Sequence, residues 1–329
     1  MRKKRFKWGI IGCGQIAGQF AESLKVLPDA VLYAAASRSE EKARKFCKKY
    51  HVRKGYGSYE KLVEDPEINA VYIATPHNLH FENSSLCIQN GKAVLCEKPL
   101  TVNENEAKKL IETAGKAQIF LMEAFWTRFL PSTVKLNQLL EDGIIGETRL
   151  LQADFGYHMP FDAQHRSYNP ELAGGALLDV GIYPINFAQM IFKDVPEDIK
   201  TSIIRAETGV DAQSAYLFTY PDGSMAVLNA AVNVETQHNA WIYGTEGYIH
   251  MPEFFHARKI HVSRTDGYQE TFEVPFASTG YSYEALEVMQ CMNKGQLESK
   301  IMPHSESLMI MRLMDSIRAQ WGLKYPGES

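Results

Sequence analysis

Strand-like and helix-like segments alternate strictly over residues 1–125, and few folds accommodate that pattern. Phe6–Ile11 is an apolar run, and the helical repeat Ile16, Phe20, Leu24, Leu27 follows it directly. Ala30–Ala36, Ala70–Ala74, Lys92–Cys96 and Ile119–Met122 read as further strands. Ser39 is placed to cap a charged helix through Tyr50, and Ser58 a short helix ending before Pro66. A fourth helix spans about His80 to Asn90, stopped by Gly91, and Thr101 is placed to cap a fifth through Ala117. Such spacing predicts parallel βαβ units with right-handed crossovers. The strands are uniformly apolar, as a parallel sheet covered on both faces requires.

After Phe125 the grammar changes. A helix near Pro131–Glu141 precedes a strand near Glu147–Phe155 and a loop over 156–172 rich in Tyr, His, Asn and Pro. Leu177–Phe192 reads as a helix. Residues 199–275 then give strand after strand with turns such as Pro221-Asp-Gly223 and Asp266-Gly267. Two helices, about Ser282–Lys294 and Ser305–Gln320, close the pattern. The expected fold is α/β: a doubly wound parallel sheet over 1–125, then an α+β domain over 126–329 on a large open mixed or antiparallel sheet. Ala226–Val232 reads as apolar on both faces, and one helix covers only one of them. A homodimer or higher homo-oligomer through that sheet is therefore expected.

Composition excludes several classes of partner. The formal net charge is −4, without the basic excess of a nucleic-acid or membrane-surface binder. No apolar stretch is read as reaching the length of a membrane span. The basic start Met1-Arg-Lys-Lys-Arg5 makes a poor signal peptide. Five cysteines without CxxC spacing fit reduced thiols in the cytoplasm, with no zinc ribbon and no disulfide frame.

Gly12-x-Gly14-x-x-Ala17 sits where a strand turns into a helix. Gly12 permits the tight turn, Gly14 lets backbone approach a pyrophosphate, and Ala17 lets the helix pack closely. Gln15 and Ile16 lie at the same helix start. A plain tight turn is the alternative. At the tip of the second strand an NAD site usually has a carboxylate for the ribose. Here the sequence is Ser37-Arg38, with Glu40 and Glu41 following. Arginine pairs with a 2′-phosphate, so NADP is favoured, with NAD possible. Thr75, Pro76, His77 and His80 follow a strand at the edge that lines the cofactor crevice. His77 and His80 lack the further ligands of a metal site, and no metal is expected. Glu97-Lys98-Pro99 ends a buried strand. Lys98 is either a crevice lysine or an ordinary exposed one before a helix. Gly174-Gly175…Asp179…Tyr183 enters an apolar helix with Asp179 and Tyr183 on one face. That pair is a polar site in a pocket wall, or a capping Asp with a core Tyr.

Taken in order, these motifs resemble the Gfo/Idh/MocA oxidoreductases, a family named for glucose–fructose oxidoreductase and inositol dehydrogenase. Gly12-x-Gly14-x-x-Ala17, Thr75-Pro76, Glu97-Lys98-Pro99 and Gly174-Gly175…Asp179-x-Gly181-x-Tyr183 carry the resemblance, which spans essentially the whole chain. Gly91–Pro99, Phe120–Phe129 and Gly174–Tyr183 look most like the subgroup of dimeric trans-dihydrodiol and NADP-linked D-xylose dehydrogenases. Tyr183 stands where inositol dehydrogenases have histidine, which makes a cyclitol substrate the weaker alternative. The resemblance implies a Rossmann domain holding NADP, Lys98 near the nicotinamide ribose and the reacting hydroxyl, Tyr183 as acid/base and Asp179 orienting substrate. A tyrosine titrates near ~10 in isolation, and a nearby ammonium favours its phenolate. The expected substrate is a sugar-like polyol, an aldopyranose or a cyclic dihydrodiol. Trp126, Arg128, Phe155, Tyr157, His158, Arg166 and Tyr168 are candidates to line its pocket. A non-catalytic, NAD(P)-sensing protein on the same fold is the alternative from another class.

Overall fold

The computed structural model describes residues 5–328. The first four residues of the basic start lie outside them. The chain forms two compact units: one runs to Phe129 and takes in Phe276–Met311, and the other comprises Leu130–Pro275 and the residues from Arg312 onward. The chain thus returns to its first unit, an excursion that a single boundary near residue 125 does not describe.

The first unit contains β1 (Phe6–Ile11), α1 (Gln15–Leu24), β2 (Ala30–Ala36), α2 (Glu40–Tyr50), β3 (Lys54–Tyr56), α3 (Tyr59–Val63), β4 (Ala70–Ile73), α4 (His80–Gln89), β5 (Ala93–Glu97), α5 (Glu104–Ala117) and β6 (Leu121–Ala124). Its six strands are parallel and ordered β3-β2-β1-β4-β5-β6. The order reverses between β1 and β4, which opens a crevice beyond their carboxyl ends. Apolar runs become strands here because both sheet faces are covered: Ile10, Ile11, Val71, Tyr72, Val94 and Leu95 are fully buried. Phe20 of α1 stacks on Tyr72 at 3.9 Å.

The caps follow the sequence with one exception. Ser39 accepts from the Lys42 N–H and Ser58 from the Lys61 N–H. The cap of α5 is Asn103, which accepts from the Glu106 N–H; Thr101 instead donates to the Asn103 carbonyl. Asn103 holds the extended backbone and the three-residue spacing that the bond needs. The three-residue β3 was not expected, being too short and mixed to show an alternation.

The second unit contains α6 (Pro131–Glu141), β7 (Thr148–Gly156), α7 (Ile182–Phe192) and seven more strands. These are β8 (Asp198–Arg205), β9 (Asp211–Thr219), β10 (Met225–Ala231), β11 (Ala240–Gly244), β12 (Gly247–Met251), β13 (Lys259–Arg264) and β14 (Gln269–Glu273). They form one eight-stranded sheet ordered β14-β13-β12-β11-β7-β10-β9-β8. β7 and β10 pair in parallel and every other neighbour is antiparallel, so the sheet is mixed. Leu151, Ala153 and Phe155 of β7 and Ala226, Leu228 and Ala230 of β10 point to the buried face, against α7. Of the two helices that follow, α8 (Ser282–Asn293) belongs to the first unit, and α9 (His304–Trp321) is divided between the two at Met311.

Two sequence expectations need correction. β10 is not apolar on both faces: Val227 and Asn229 alternate outward, one apolar and one polar. The apolar character of the outer face comes instead from β11 and β12, through Trp241, Tyr243 and Tyr248. In addition, Pro170–Phe192 is long and apolar enough by composition to cross a membrane, although 89% of its most apolar window is buried inside the fold. Its Leu177–Phe192 part is the core helical segment of the second unit, and the sheet supplies the apolar surroundings that a bilayer would otherwise give.

Candidate active site

Elements of the first unit build a cradle for a dinucleotide. Gly12 has φ +94°, and a Cβ there would lie 2.6 Å from the Ala74 carbonyl oxygen. Only glycine permits this approach of the β1 turn to the β4 turn. A Cβ on Gly14 would meet nothing within 4 Å, and Gly14 starts α1 without a side-chain cap. The first N–H groups of α1 are therefore left for an anion. Ala17 is fully buried, whereas Ile16 is exposed. These features fit a pyrophosphate-bearing cofactor. Gln15 is likewise exposed at the helix start.

At the tip of β2, Ser37 is buried and accepts from the Ser39 N–H, while Arg38 is exposed and its guanidinium engages Tyr59. Glu41 pairs with Lys45 along α2. Beyond β4, Asn83 donates to the Thr75 hydroxyl at 3.0 Å, and Pro76 opens a short helical turn over His77–Leu79. His77 is buried. His80 has no exposed surface, and its ring nitrogens lie 2.7 Å from the Pro99 carbonyl and 2.9 Å from the Thr75 carbonyl. It thus ties the β4 loop to the β5 loop. Burial, with Lys98 adding like charge, depresses its pKa. Lys98 is half-buried at the end of β5, and the peptide it makes with Pro99 is cis. Glu97 accepts hydrogen bonds from the Tyr72 hydroxyl and the Lys98 backbone N–H. Trp126 stacks on Tyr281 at 4.9 Å. Arg128 is buried and paired with Glu306 at 2.7 Å, with a further bond to the Ile301 carbonyl.

The second unit holds the acidic and phenolic pair. Leu177–Gly181 winds as a π-helix and passes into α7 at Ile182. Such wide turns recur at functional sites. Asp179 is 4% exposed and Tyr183 is 8% exposed, so both are wall residues of a largely dry region. Asp179 accepts from the Tyr157 hydroxyl at 2.6 Å and from Arg166 at 3.0 Å. Tyr157 also bonds Ser167 at 2.8 Å. Burial and the Asp179 carboxylate raise the Tyr157 pKa far above that of a free phenol, so it stays protonated. The charge of Asp179 raises the Arg166 pKa further. Around Tyr183 stand Phe155 at 5.1 Å and Phe255 at 5.9 Å, and Phe155 also meets His238 at 4.8 Å.

The structure therefore brings Phe155, Tyr157, Arg166, Asp179 and Tyr183 together. Of the other pocket candidates, Trp126 and Arg128 belong to the first unit, and two in the second unit lie outside this cluster. His158 is exposed and bridges to Asn233. Tyr168 is buried, with its hydroxyl on the Met159 and Val232 carbonyls. Sequence reasoning missed Phe255, in a single helical turn after β12, and His238, in a loop; they reach Tyr183 and Phe155 from segments with no motif. It also missed Asp211, which accepts from the Leu177 N–H at 2.6 Å and holds the start of the π-helix. Among the described residues no group of three or more His, Cys, Asp or Glu side chains is placed to hold a metal.

Comparison with known proteins identifies the family. Residues 6–125 match the family model described as "Oxidoreductase family, NAD-binding Rossmann fold", and residues 133–250 match that of the GFO/IDH/MocA C-terminal domain. The chain is 38% identical to trans-1,2-dihydrobenzene-1,2-diol dehydrogenase of Xenopus tropicalis over 335 residues, covering 97% of this chain and 99% of that one. It is 35% identical to the human protein of that name, over 97% of this chain and 98% of the other. A 3-ketoreductase from Actinomadura kijaniata, solved with NADP and TDP-benzene, superposes with a TM-score of 0.85 at 27% identity, covering 96% of this chain and 98% of that one. An aldose-aldose oxidoreductase from Caulobacter crescentus, at 22% identity and a TM-score of 0.87 over 97% and 99% of the two chains, shares the fold. With both domain models matched in order and near-complete coverage of relatives above one-third identity, the chain belongs to the Gfo/Idh/MocA family of NAD(P)-dependent oxidoreductases.

Proposed function

We propose that this protein is an NADP-dependent dehydrogenase. It moves hydride between the nicotinamide and a hydroxyl-bearing carbon of a cyclic trans-dihydrodiol or aldopyranose, with Tyr183 as acid/base and Lys98 assisting. The observation that carries the proposal is the clamp on Asp179 one turn from Tyr183, beside an aromatic wall. A ring with hydroxyls on its edge and an apolar face matches both. Arg166, Asp179 and Tyr157 offer polar partners, and Phe155 and Phe255 offer flat surface. The names of the curated relatives and the NADP complex of the ketoreductase support the same reading.

Each residue then has a physical task. Gly12, Gly14 and the start of α1 hold the pyrophosphate, with Gln15, Ile16 and Ala17 forming the helix that presents it. Ser37 and Arg38 take the 2′-phosphate. Thr75, Pro76, His77, His80 and Glu97 shape the crevice. Bound nicotinamide supplies the hydride acceptor. Tyr183 takes the hydroxyl proton, Lys98 favours its phenolate, and Asp179 fixes the substrate hydroxyls. The five free thiols fit a cytoplasmic setting. A second copy of the chain on the outer face of the eight-stranded sheet is the proposed partner.

The test is turnover on a panel of aldoses, cyclitols and trans-dihydrodiols with NADP. Tyr183→Phe and Lys98→Ala should each lower kcat by roughly 10²–10⁴-fold, the range for loss of a general acid or base. Tight NADP binding without turnover of any panel member would overturn the enzyme reading. A normal kcat in Tyr183→Phe would remove Tyr183 as proton carrier.

A further inference from the structure

Beside Lys98 the interior of the first unit encloses three carboxyl groups. Glu97 is 8% exposed, Glu123 is 2% and Glu284 of α8 is fully buried. Two of them are accounted for. Glu123 accepts from the Leu100 N–H at 2.9 Å and the Ser307 hydroxyl at 2.6 Å, and it also feels the charges of Arg128 and Lys98. Glu97 accepts from Tyr72 and from the Lys98 N–H. Glu284 differs, because neither of its carboxyl oxygens has a hydrogen-bond partner among the described residues. Its electrostatic neighbour is Glu97.

Two adjacent carboxylates in a dry interior cannot both stay ionised at reasonable cost. Burial, with the Glu97 charge adding to it, drives the Glu284 pKa far above the carboxylate range; burial pushes Glu97 up to about 7. The other titratable groups facing the pair are Tyr72 on β4, Cys96 and Lys98 at the end of β5, Glu123 on β6 and Tyr281 before α8. Lys98 is the cation that acts on Glu97, and Tyr72 and Cys96, whose pKa values burial raises, stay neutral at physiological pH. An orphaned acid O–H beside a carboxylate has one natural acceptor.

We propose that Glu284 is a positioning residue for Lys98: it remains the neutral acid, donates its proton in a hydrogen bond to Glu97, and leaves Glu97 as the negative charge that anchors the Lys98 peptide and ammonium. This rests on the reading of Lys98 as a catalytic residue. The pair itself can be tested without that reading.

Infrared difference spectra of the resting full-length protein, taken between about pH 5 and about pH 9, distinguish protonated from ionised carboxyls. In an Asp211→Asn background, which removes the other buried carboxyl raised to about 7, one buried carboxyl band should titrate near neutrality and belong to Glu97. A second should persist to the alkaline end and vanish in Glu284→Gln. The Glu97 midpoint should stay in place in Glu284→Gln, which keeps a neutral donor. It should rise by about 1–2 pH units in Glu284→Leu, as loss of one hydrogen bond to a charged group implies. It should also rise in Lys98→Met, a readout that needs no substrate. The acid limb of kcat/KM should follow the midpoint in both Glu284 variants. A fall of the midpoint in Glu284→Gln would mean that Glu284 is charged and would overturn the proposal. So would an unmoved midpoint in Glu284→Leu, or an acid limb that ignores it. Absence of turnover with every substrate class counts against the oxidoreductase function and leaves the infrared result for the pair intact.

Discussion

Tyr157 donates its phenolic proton to Asp179 at 2.6 Å, while Arg166 holds the other oxygen of the same carboxylate at 3.0 Å. The two donors are not equivalent. Tyr157 is half-buried and stays protonated, whereas Arg166 is half-exposed and screened by water. The phenol is therefore the firmer of the two constraints on Asp179. In Tyr157→Phe the carboxylate should lose its fixed orientation. We expect kcat/KM to fall by roughly 10–150-fold, the equivalent of one hydrogen bond to a charged group. The loss should appear mainly in KM, and Asp179→Asn should show the same pattern. Steady-state kinetics on the best substrate of the panel will decide. A fall confined to kcat would move Asp179 from orienting substrate to the chemical step.

Asp211 makes a second pH-dependent contact. It is fully buried, and burial pushes its pKa up to about 7 against the pull of the Leu177 N–H, its own backbone and Ser214. Gly175, at φ +117°, would place a Cβ 2.2 Å from its Oδ1, so glycine is required there. An acid whose folded pKa lies above its unfolded value binds more protons when folded. Stability from this group therefore falls as pH rises from about 4, the unfolded value, toward about 7, the folded one. Asp211→Asn keeps an acceptor for Leu177 and removes the titration. The Tm difference between Asp211→Asn and wild type should shift in favour of the variant across that window and level off above it. A difference independent of pH would show that Asp211 does not titrate there.

The first unit was legible almost strand by strand, and the reason is physical. Parallel strands covered on both faces must be continuously apolar, and Ala70–Ile73 or Ala93–Glu97 can be little else once helices flank them. Glycine motifs were legible because steric demands at Gly12 leave no alternative residue. Long-range pairing was not legible. Nothing in the neighbourhood of Arg128 announces Glu306, and nothing near Leu177 announces Asp211. Such contacts depend on where the chain returns, and period and propensity carry no record of that. The aromatic wall was half visible for the same reason: Phe155 lies on a strand with a clear alternation, whereas Phe255 sits in a single helical turn after β12.

The outer face of the eight-stranded sheet leads to a prediction about assembly. Val227 is 41% exposed and Tyr248 is 36% exposed, and Trp241 packs on His250 at 3.8 Å and on Tyr248 at 5.6 Å. A contiguous face of this kind is costly in water and is removed by self-association through a two-fold contact. Light scattering at micromolar concentration should give a dimer or a larger oligomer for the wild type. Trp241→Glu should shift it to monomer with an unchanged circular dichroism spectrum. A wild-type monomer would exclude this face as a stable interface.

Arg38 leads to a prediction about cofactor choice. It stands at the tip of β2, where an enzyme selecting NAD usually places a carboxylate, and its guanidinium engages Tyr59 beside the buried hydroxyl of Ser37. A 2′-phosphate there would meet a fixed cation and a hydroxyl. Glu40 and Glu41 do not oppose it from the site, because both are exposed in the first turn of α2 and Glu41 is paired with Lys45. One charge-assisted hydrogen bond contributes about 1.5–3 kcal/mol, which corresponds to roughly 10–150-fold in preference. The ratio of kcat/KM for NADP over NAD should lie in that range for the wild type and collapse toward one in Arg38→Ala. Tyr59→Phe should lower the ratio by less, since it removes the strut and keeps the charge. The salt dependence of the ratio separates charge from shape: screening weakens an exposed guanidinium–phosphate contact and leaves steric selection unchanged. Equal use of both cofactors by the wild type, or a preference that survives Arg38→Ala, would assign Arg38 to the surface and leave cofactor choice to the backbone of the Ser37 turn.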